Sequence, residues 1–294
     1  MRFPSLVKGL LGLAVATSGI GAHAAATLIY ANHACSGTCA IQSFSATTGA
    51  NVGNFTQNRG NGRGVVTVGD IIYYTTADSG SIFKRRISDN ADLGVAFSVA
   101  GATGLQSISF DGTNFWVGDY SGTKNAYLVN GSNGSLIKTV TLANAAGFYD
   151  GLEYFNGKLI ANRFDGGIRG AQTYDVYSAV DGSLITANFI NTGGHGNGTG
   201  IAYDGAEFFV ADIFNNRITV WDGITGAFKR NIVLTGDPIN VIEDISVDFA
   251  DRPDTCGGPN QPPCNNIPTP ATLPLAVLAL FAAFAAPRLR SRQG

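Results

Sequence analysis

Residues 198–234, GTGIAYDGAEFFVADIFNNRITVWDGITGAFKRNIVL, read as four short strands separated by turn signals, and this unit recurs along the chain. Apolar residues alternate with small or polar ones, the period of a half-buried strand. Asp204-Gly205 and Thr225-Gly226 stand where a hairpin needs a positive backbone φ. One such unit cannot bury both faces of its own sheet. It must be covered by neighbours of the same kind, which constrains the fold more than any other feature of the sequence.

Residues 64–99, 107–142 and 151–190 each supply a complete four-strand unit, the last with a longer loop at 163–172. Asn133-Gly134 marks a hairpin turn within the second of these. At the N-terminal end TLIYAN (27–32), CAIQSFSATTG (39–49) and ANVGNF (50–55) match strands two, three and four, with no first strand before them. At the other end ISVDFADR (245–252) matches a first strand with nothing after it. The orphans complete one another, as in a β-propeller whose ring is closed by a blade shared between the termini. Residues 27–251, 225 in all, divide into five units of 45 residues, against the roughly 40 to 45 of a four-stranded blade. Six units would have 37.5 each, so the expectation is an all-β, five-bladed propeller over residues 25–252, with six blades as the fallback. The GIAYDG, FVAD, ITVWD and TG segments of residues 198–234 are similar to the blades of NHL-type and related extracellular propellers. That resemblance implies a fold and leaves the activity open.

The ends read differently. Residues 1–24 have a basic start (Arg2, Lys8), an apolar run from Gly9 to Ala22 and Ala22-His23-Ala24, the pattern of a cleaved secretory signal. A membrane anchor is the alternative, although the run is broken by Thr17-Ser18-Gly19. Residues 253–266 form a Cys- and Pro-rich linker. Beyond it come Pro268-Thr269-Pro270, an apolar stretch from Leu273 to Ala286, and Arg288, Arg290 and Arg292. This tail, residues 267–292, resembles the PEP-CTERM sorting signal of Gram-negative bacteria, with Thr269 where the family usually has Glu. The resemblance implies an exosortase-type processing enzyme, transient inner-membrane association, removal of the tail, and a secreted or outer-surface location in an exopolysaccharide matrix. A simple C-terminal membrane anchor is the other reading of the same tail.

Five of the 19 basic residues (Arg2, Lys8, Arg288, Arg290, Arg292) and none of the 21 acidic ones lie in the two end segments. The mature region thus keeps 14 basic residues and a formal charge of −7. An acidic domain of this kind does not suit nucleic acid, which rewards basic stripes. Export places the four cysteines in an oxidising compartment. Cys35 with Cys39 and Cys256 with Cys264 are the expected local disulfides, with a metal site as the rival reading.

Aligning the blades puts Asn32, Thr76, Asp119, Asn162 and Asp212 at the end of the second strand, a ring of oxygen-bearing side chains near one mouth. The interblade loops are expected to add Arg63, Gln106, Asp150, Asn197 and Glu243, with His33, Arg163 and His195 close by. This ring predicts a polar ligand site, with Ca2+ as a candidate because hard cations take carboxylate and amide oxygens. Against it stands the habit of Asp and Asn of capping their own turns. Strand aromatics Trp116, Trp221, Tyr73, Tyr127, Tyr174 and Phe209 are expected between blades. Loop aromatics Tyr120, Phe148, Tyr149, Phe164 and Phe214 would suit the apolar faces of a sugar.

The chain has no G-x-S-x-G nucleophile elbow and no H-E-x-x-H zinc helix. Its glycine-rich stretches, residues 60–64 and 193–200, have no following Lys-Ser/Thr. Two of the acids Asp119, Asp150, Glu153, Asp212, Glu243 and Asp244 meeting at the mouth would suffice for glycoside cleavage, with His195 as a base. The expectation is a monomeric, non-catalytic, exported propeller that binds extracellular polysaccharide or a matrix or cell-surface protein. The alternative is a glycan-active hydrolase or lyase, and passive packing in the matrix is a third reading.

Overall fold

The computed structural model describes residues 27–35, 39–120, 122–143, 149–163, 173–236 and 241–247. Twenty strands form five antiparallel four-stranded sheets, the blades of a β-propeller, with no helix among the described residues. Blade 1 holds β1 (Leu28–His33), β2 (Cys39–Ser45) and β3 (Asn51–Gln57); blade 2 holds β4 (Gly62–Val68), β5 (Ile71–Thr76), β6 (Ser79–Arg86) and β7 (Asp92–Ser98). Blade 3 comprises β8 (Leu105–Phe110), β9 (Phe115–Asp119), β10 (Asn125–Val129) and β11 (Leu136–Thr141). Blade 4 follows with β12 (Leu152–Phe155), β13 (Lys158–Arg163), β14 (Thr173–Ser178) and β15 (Leu184–Asn191). Blade 5 contains β16 (Gly198–Tyr203), β17 (Glu207–Asp212), β18 (Arg217–Asp222) and β19 (Phe228–Val233). The last strand, β20 (Ile242–Val247), pairs antiparallel with β1 and completes blade 1.

The closure is thus the one expected from the orphan strands, with one correction. β20 starts at Ile242, three residues ahead of the expected Ile245, and residues 248–252 lie outside the described residues. Glu243 and Asp244 therefore belong to a strand and not to a loop. The apolar alternation could not reveal this, because two consecutive acids interrupt it.

Each blade is apolar on both faces, and five buried clusters fill the five spaces between neighbours. Tyr30 and Ile41 meet Val65 and Tyr74; Val66 and Ile82 meet Leu105 and Val117. Trp116 and Leu128 meet Leu152 and Tyr177, Phe155 and Tyr174 meet Ile201 and Trp221, and Phe209 and Val220 meet Ile29 and Phe44. Of the strand aromatics, Trp116, Tyr174, Phe209 and Trp221 are buried, while Tyr73 and Tyr127 are half-buried. β20, β4, β8, β12 and β16 are the inner strands and neighbour one another in a ring about the axis.

The hairpin between the third and fourth strands explains why the repeat is visible in the sequence. Ser45, Asn130, Ser178 and Asp222 each accept backbone N–H groups into the turn, and a positive-φ glycine follows four residues later, at Gly49, Gly134, Gly182 and Gly226. In blade 2 Asn90, with φ 55°, takes the left-handed position. The glycine has a second task. A Cβ on Gly226 would fall 1.9 Å from the carbonyl oxygen of Phe189 on the outer strand of the preceding blade. At Gly49 the same approach to Val233 helps close the ring, beside a parallel bridge between Ala50 and Thr235.

Candidate functional site

Four of the five inner strands begin with a β-bulge. On β4, Gly62 faces Thr76 and Val65 faces Tyr74, so Arg63 and Gly64 together stand opposite Thr75. Gln106 and Ser107 stand likewise opposite Gly118, and Thr199 and Gly200 opposite Ala211. On β20 the extra residue is Glu243, between the pairs Asp244–Asn32 and Ile242–His33. A bulge re-aims the side chains it carries. Here it places Arg63, Gln106, Thr199 and Glu243 at one end of the inner ring, and Asp150, just before β12, comes to the same place. Arg63, Gln106 and Glu243 were expected in interblade loops; they lie on strands, because the inner strands run on through the bulge.

Four of these groups form one cluster with Tyr120, which follows β9. Arg63 Nη1 lies 2.6 Å from Glu243 Oε2, and both side chains are largely buried. Its Nη2 donates to the Tyr120 hydroxyl at 3.2 Å, and the guanidinium sits 4.9 Å from the Tyr120 ring centre. Gln106 Nε2 donates to Asp150 Oδ1. Burial pushes the Glu243 carboxyl up to about 7, Arg63 opposes this, and the Asp150 charge adds to it. Burial also raises Asp150 against the pull of Arg63. The Arg63 guanidinium loses hydration, yet Glu243, Tyr120 and Asp150 more than compensate and hold it above its ordinary value. Of the six candidate acids, Glu243 and Asp150 are therefore the two that feel each other at this mouth.

Asp244 lies next to Glu243 and is fully enclosed. Its Oδ2 accepts the Val65 N–H at 3.1 Å, and the amides of Ile245, Ile108 and Ile201 also act on the carboxyl. Burial still holds it well above the ordinary carboxylate range. The physical reason for its presence is the unpaired inward edge of each inner strand, whose N–H groups need acceptors away from water. Two residues on, Ser246 Oγ accepts the Thr67 N–H at 3.1 Å in the same manner.

The second-strand ring has a different character. Asn162 Oδ1 accepts the Gly151 N–H at 3.0 Å, and Asp212 Oδ1 accepts the Asn197 N–H at 3.1 Å, so each ties the segment that leads into its own blade to its strand. Asp212 also takes Arg217 Nε at 2.7 Å and the Asn215 amide. Asn32 Nδ2 donates to Gly64 O at 3.0 Å, which links blades 1 and 2. Asp119 accepts from Thr123 and from the Tyr127 hydroxyl. Thr76 is buried, and the clasp in blade 2 is made by Thr75, which accepts the Gly64 N–H at 2.7 Å and donates to Gln106 O. Sequence reasoning missed Thr75 because two adjacent threonines stand at this place and the aligned one, Thr76, is not the one that makes the bond.

The remaining candidates are spread out. The His195 ring stacks on Phe228 at 3.8 Å and lies edge-on to Trp221, and its carbonyl accepts Arg217 Nη2. His33 is buried, with Nδ1 3.1 Å from Ala40 O, and Arg163 lies 3.8 Å from Asp175. Tyr149 is fully enclosed, which removes it from the sugar-facing set; Phe214 is exposed, while Phe148 and Phe164 fall outside the described residues. Among the described residues no three His, Cys, Asp or Glu side chains gather to hold a metal ion. Cys35 and Cys39 form the expected disulfide in the β1–β2 loop. Cys256, Cys264 and the tail with Pro268, Thr269, Pro270, Arg288, Arg290 and Arg292 lie outside the described residues, as does the leader.

No protein-family model and no curated protein matches the sequence. Among solved structures, a chain of a nidogen/laminin complex is similar at 10% identity over 76% of this chain and 100% of its own, with a TM-score of 0.49. The computationally designed Ika4 protein is similar at 14% identity over 56% of this chain and 93% of its own (TM-score 0.38), and a chain of a mitotic checkpoint complex at 10% identity over 71% and 64% (TM-score 0.40). None of these likenesses is close enough to carry an activity or a partner to this chain.

Proposed function

We propose that the protein is an exported, non-catalytic binding propeller that holds extracellular polysaccharide, or a matrix or cell-surface protein, at the mouth formed by Arg63, Gln106, Tyr120, Asp150 and Glu243. One observation carries the reading. An ion pair and a second acid are kept in a desolvated position that the fold does not require, since the blades are already held by five apolar clusters. Burying such groups costs free energy that apolar residues would not cost, and perturbed groups concentrate at functional sites. Sorting by an exosortase-type system, passage across the inner membrane and an outer-surface or secreted destination rest on the tail's resemblance to PEP-CTERM signals.

The test mixes the protein with exopolysaccharide from its source organism and follows size-exclusion chromatography with light scattering. Co-elution with polymer of unchanged mass is expected, and Asp150→Asn should release the protein. Absence of co-elution refutes the polysaccharide form and turns the search to protein ligands. The hydrolase or lyase alternative is favoured by one feature, a Glu243 carboxyl near neutrality beside Asp150, as an acid catalyst would need. It predicts that polymer mass falls with time and that Glu243→Gln abolishes the fall.

A further inference from the structure

The mouth carries two carboxylates to one cation, and it leaves one buried donor, Arg63 Nε, and one buried acceptor, Gln106 Oε1, without partners. Asp150 and Glu243 bring two carboxylates, and Arg63 is the cation that acts on both. When both acids are ionised, the cluster is left with one excess negative charge. Gln106 spends its Nε2 on Asp150, and its Oε1, on a side chain only 2% exposed, has no donor. A buried acceptor without a donor is uncommon in folded proteins and asks for one. Asp150, Arg63 and Tyr120 are half-buried, so the cluster opens to solvent on their side.

We propose that the mouth takes a protonated primary amine, presented by a free amino-sugar residue of the bound polymer. This inference rests on the polysaccharide reading above and names its chemistry. An ammonium offers three donors and no acceptor, and so supplies the positive charge that the two carboxylates call for and a donor for Gln106 Oε1. A uronic acid would add a third carboxylate to the same place, and a neutral hydroxyl would bring no charge. A metal ion would need more anionic or imidazole ligands than gather among the described residues. The upward shift of Glu243 and Asp150 accords with a site waiting for a cation, because a bound ammonium would favour the ionised form of both.

The closing experiment uses the full chain in calorimetric titrations at low salt and mildly acidic pH, with a β-1,4-linked glucosamine oligosaccharide and its N-acetylated counterpart. The free-amine form is expected to bind at least about tenfold more tightly, a difference of about 1.4 kcal/mol. Asp150→Asn and Glu243→Gln should each remove most of that preference, and proton release on binding should fall in Glu243→Gln. The wild-type comparison needs no variant to fold. Equal or tighter binding of the acetylated form overturns the amine inference while leaving polysaccharide binding in place. Binding of neither oligosaccharide also overturns it, and co-elution with native exopolysaccharide then decides whether the wider reading fails too. A lysine-rich peptide binding as tightly as the amino sugar would overturn the assignment to a glycan.

Discussion

Glu243 makes stability depend on pH in a direction that can be worked out. Its carboxyl titrates at 4.5 in an unperturbed chain and at about 7 in the folded protein. Between those values the native state holds a proton that the unfolded state has lost, so stability falls as pH rises through the window. At about 1.4 kcal/mol per pH unit, the change from pH 4.5 to 7 comes to about 3 kcal/mol as an upper bound, shared with Asp150. Arg63 on β4, Asp150 before β12 and Asp244 on β20 are the charged groups that face or adjoin it. Glu243→Gln keeps the shape and removes the titration. It should leave Arg63 without its carboxylate at every pH, and should flatten this part of the pH dependence. Urea melts of wild type and variant at intervals from about pH 4.5 to 8 give the difference directly. The wild-type advantage should shrink by about 2 to 3 kcal/mol across the series. Parallel curves would refute the reasoning, since no group differing between the two proteins would then titrate in the window. Asp150→Asn supplies an internal check: without its charge the Glu243 carboxyl should drop, and the decline should end at a lower pH.

Gly200→Ala tests the close approach at the axis. The new Cβ would lie 2.2 Å from Asp244 Cα and 2.8 Å from the Ile245 nitrogen, so the backbone of β20 must move. A cost of about 3 kcal/mol, and a fall in Tm of about 6 °C or more, is expected by circular dichroism; unchanged or raised stability, as Gly→Ala gives where the backbone and the space admit alanine, would refute it. Asp212→Ala removes the acceptor for Asn197 N–H, Asn215 and Arg217. It should cost about 2 to 3 kcal/mol in chemical denaturation, with Asp212→Asn recovering part of the loss. Unchanged stability with lost polymer binding would instead make Asp212 a ligand contact.

The fold was legible because the blades repeat what folding demands. The polar residue and the glycine four positions later in SATTG, NGSNG, SAVDG and DGITG mark the same hairpin, and the glycine is needed both for its φ and for the contact with the preceding blade. Blade count and ring closure followed from that spacing. Bulges were not legible. An extra residue in a strand has no propensity of its own, and its one trace is the small residue at Gly64, Ser107 and Gly200. The bulge accounts for loops expected in place of strand at Arg63, Gln106 and Glu243, while the two consecutive acids account for β20 begun three residues late.

The same internal comparison separates scaffold from site. No second sequence is needed, because five blades present five versions of each position. Where the backbone sets the requirement, most versions agree in kind: Gly64, Ser107, Gly151 and Gly200 are small beside the axis, with Asp244 the exception, and Asn32, Asn162 and Asp212 each place a side-chain oxygen or amide on the chain of a neighbouring segment. One step toward the mouth the versions differ in charge, with the cation Arg63, the neutral Gln106 and Thr199 and the acids Asp150 and Glu243 at corresponding places. The main chain at this ring does not by itself account for a cation in one blade and acids in two others. The broken symmetry needs another cause, and a ligand without fivefold symmetry seated on that ring supplies one. Exchanging the residues of this ring between blades should therefore remove binding even where the protein still folds, whereas exchanging the clasp residues should act mainly on stability.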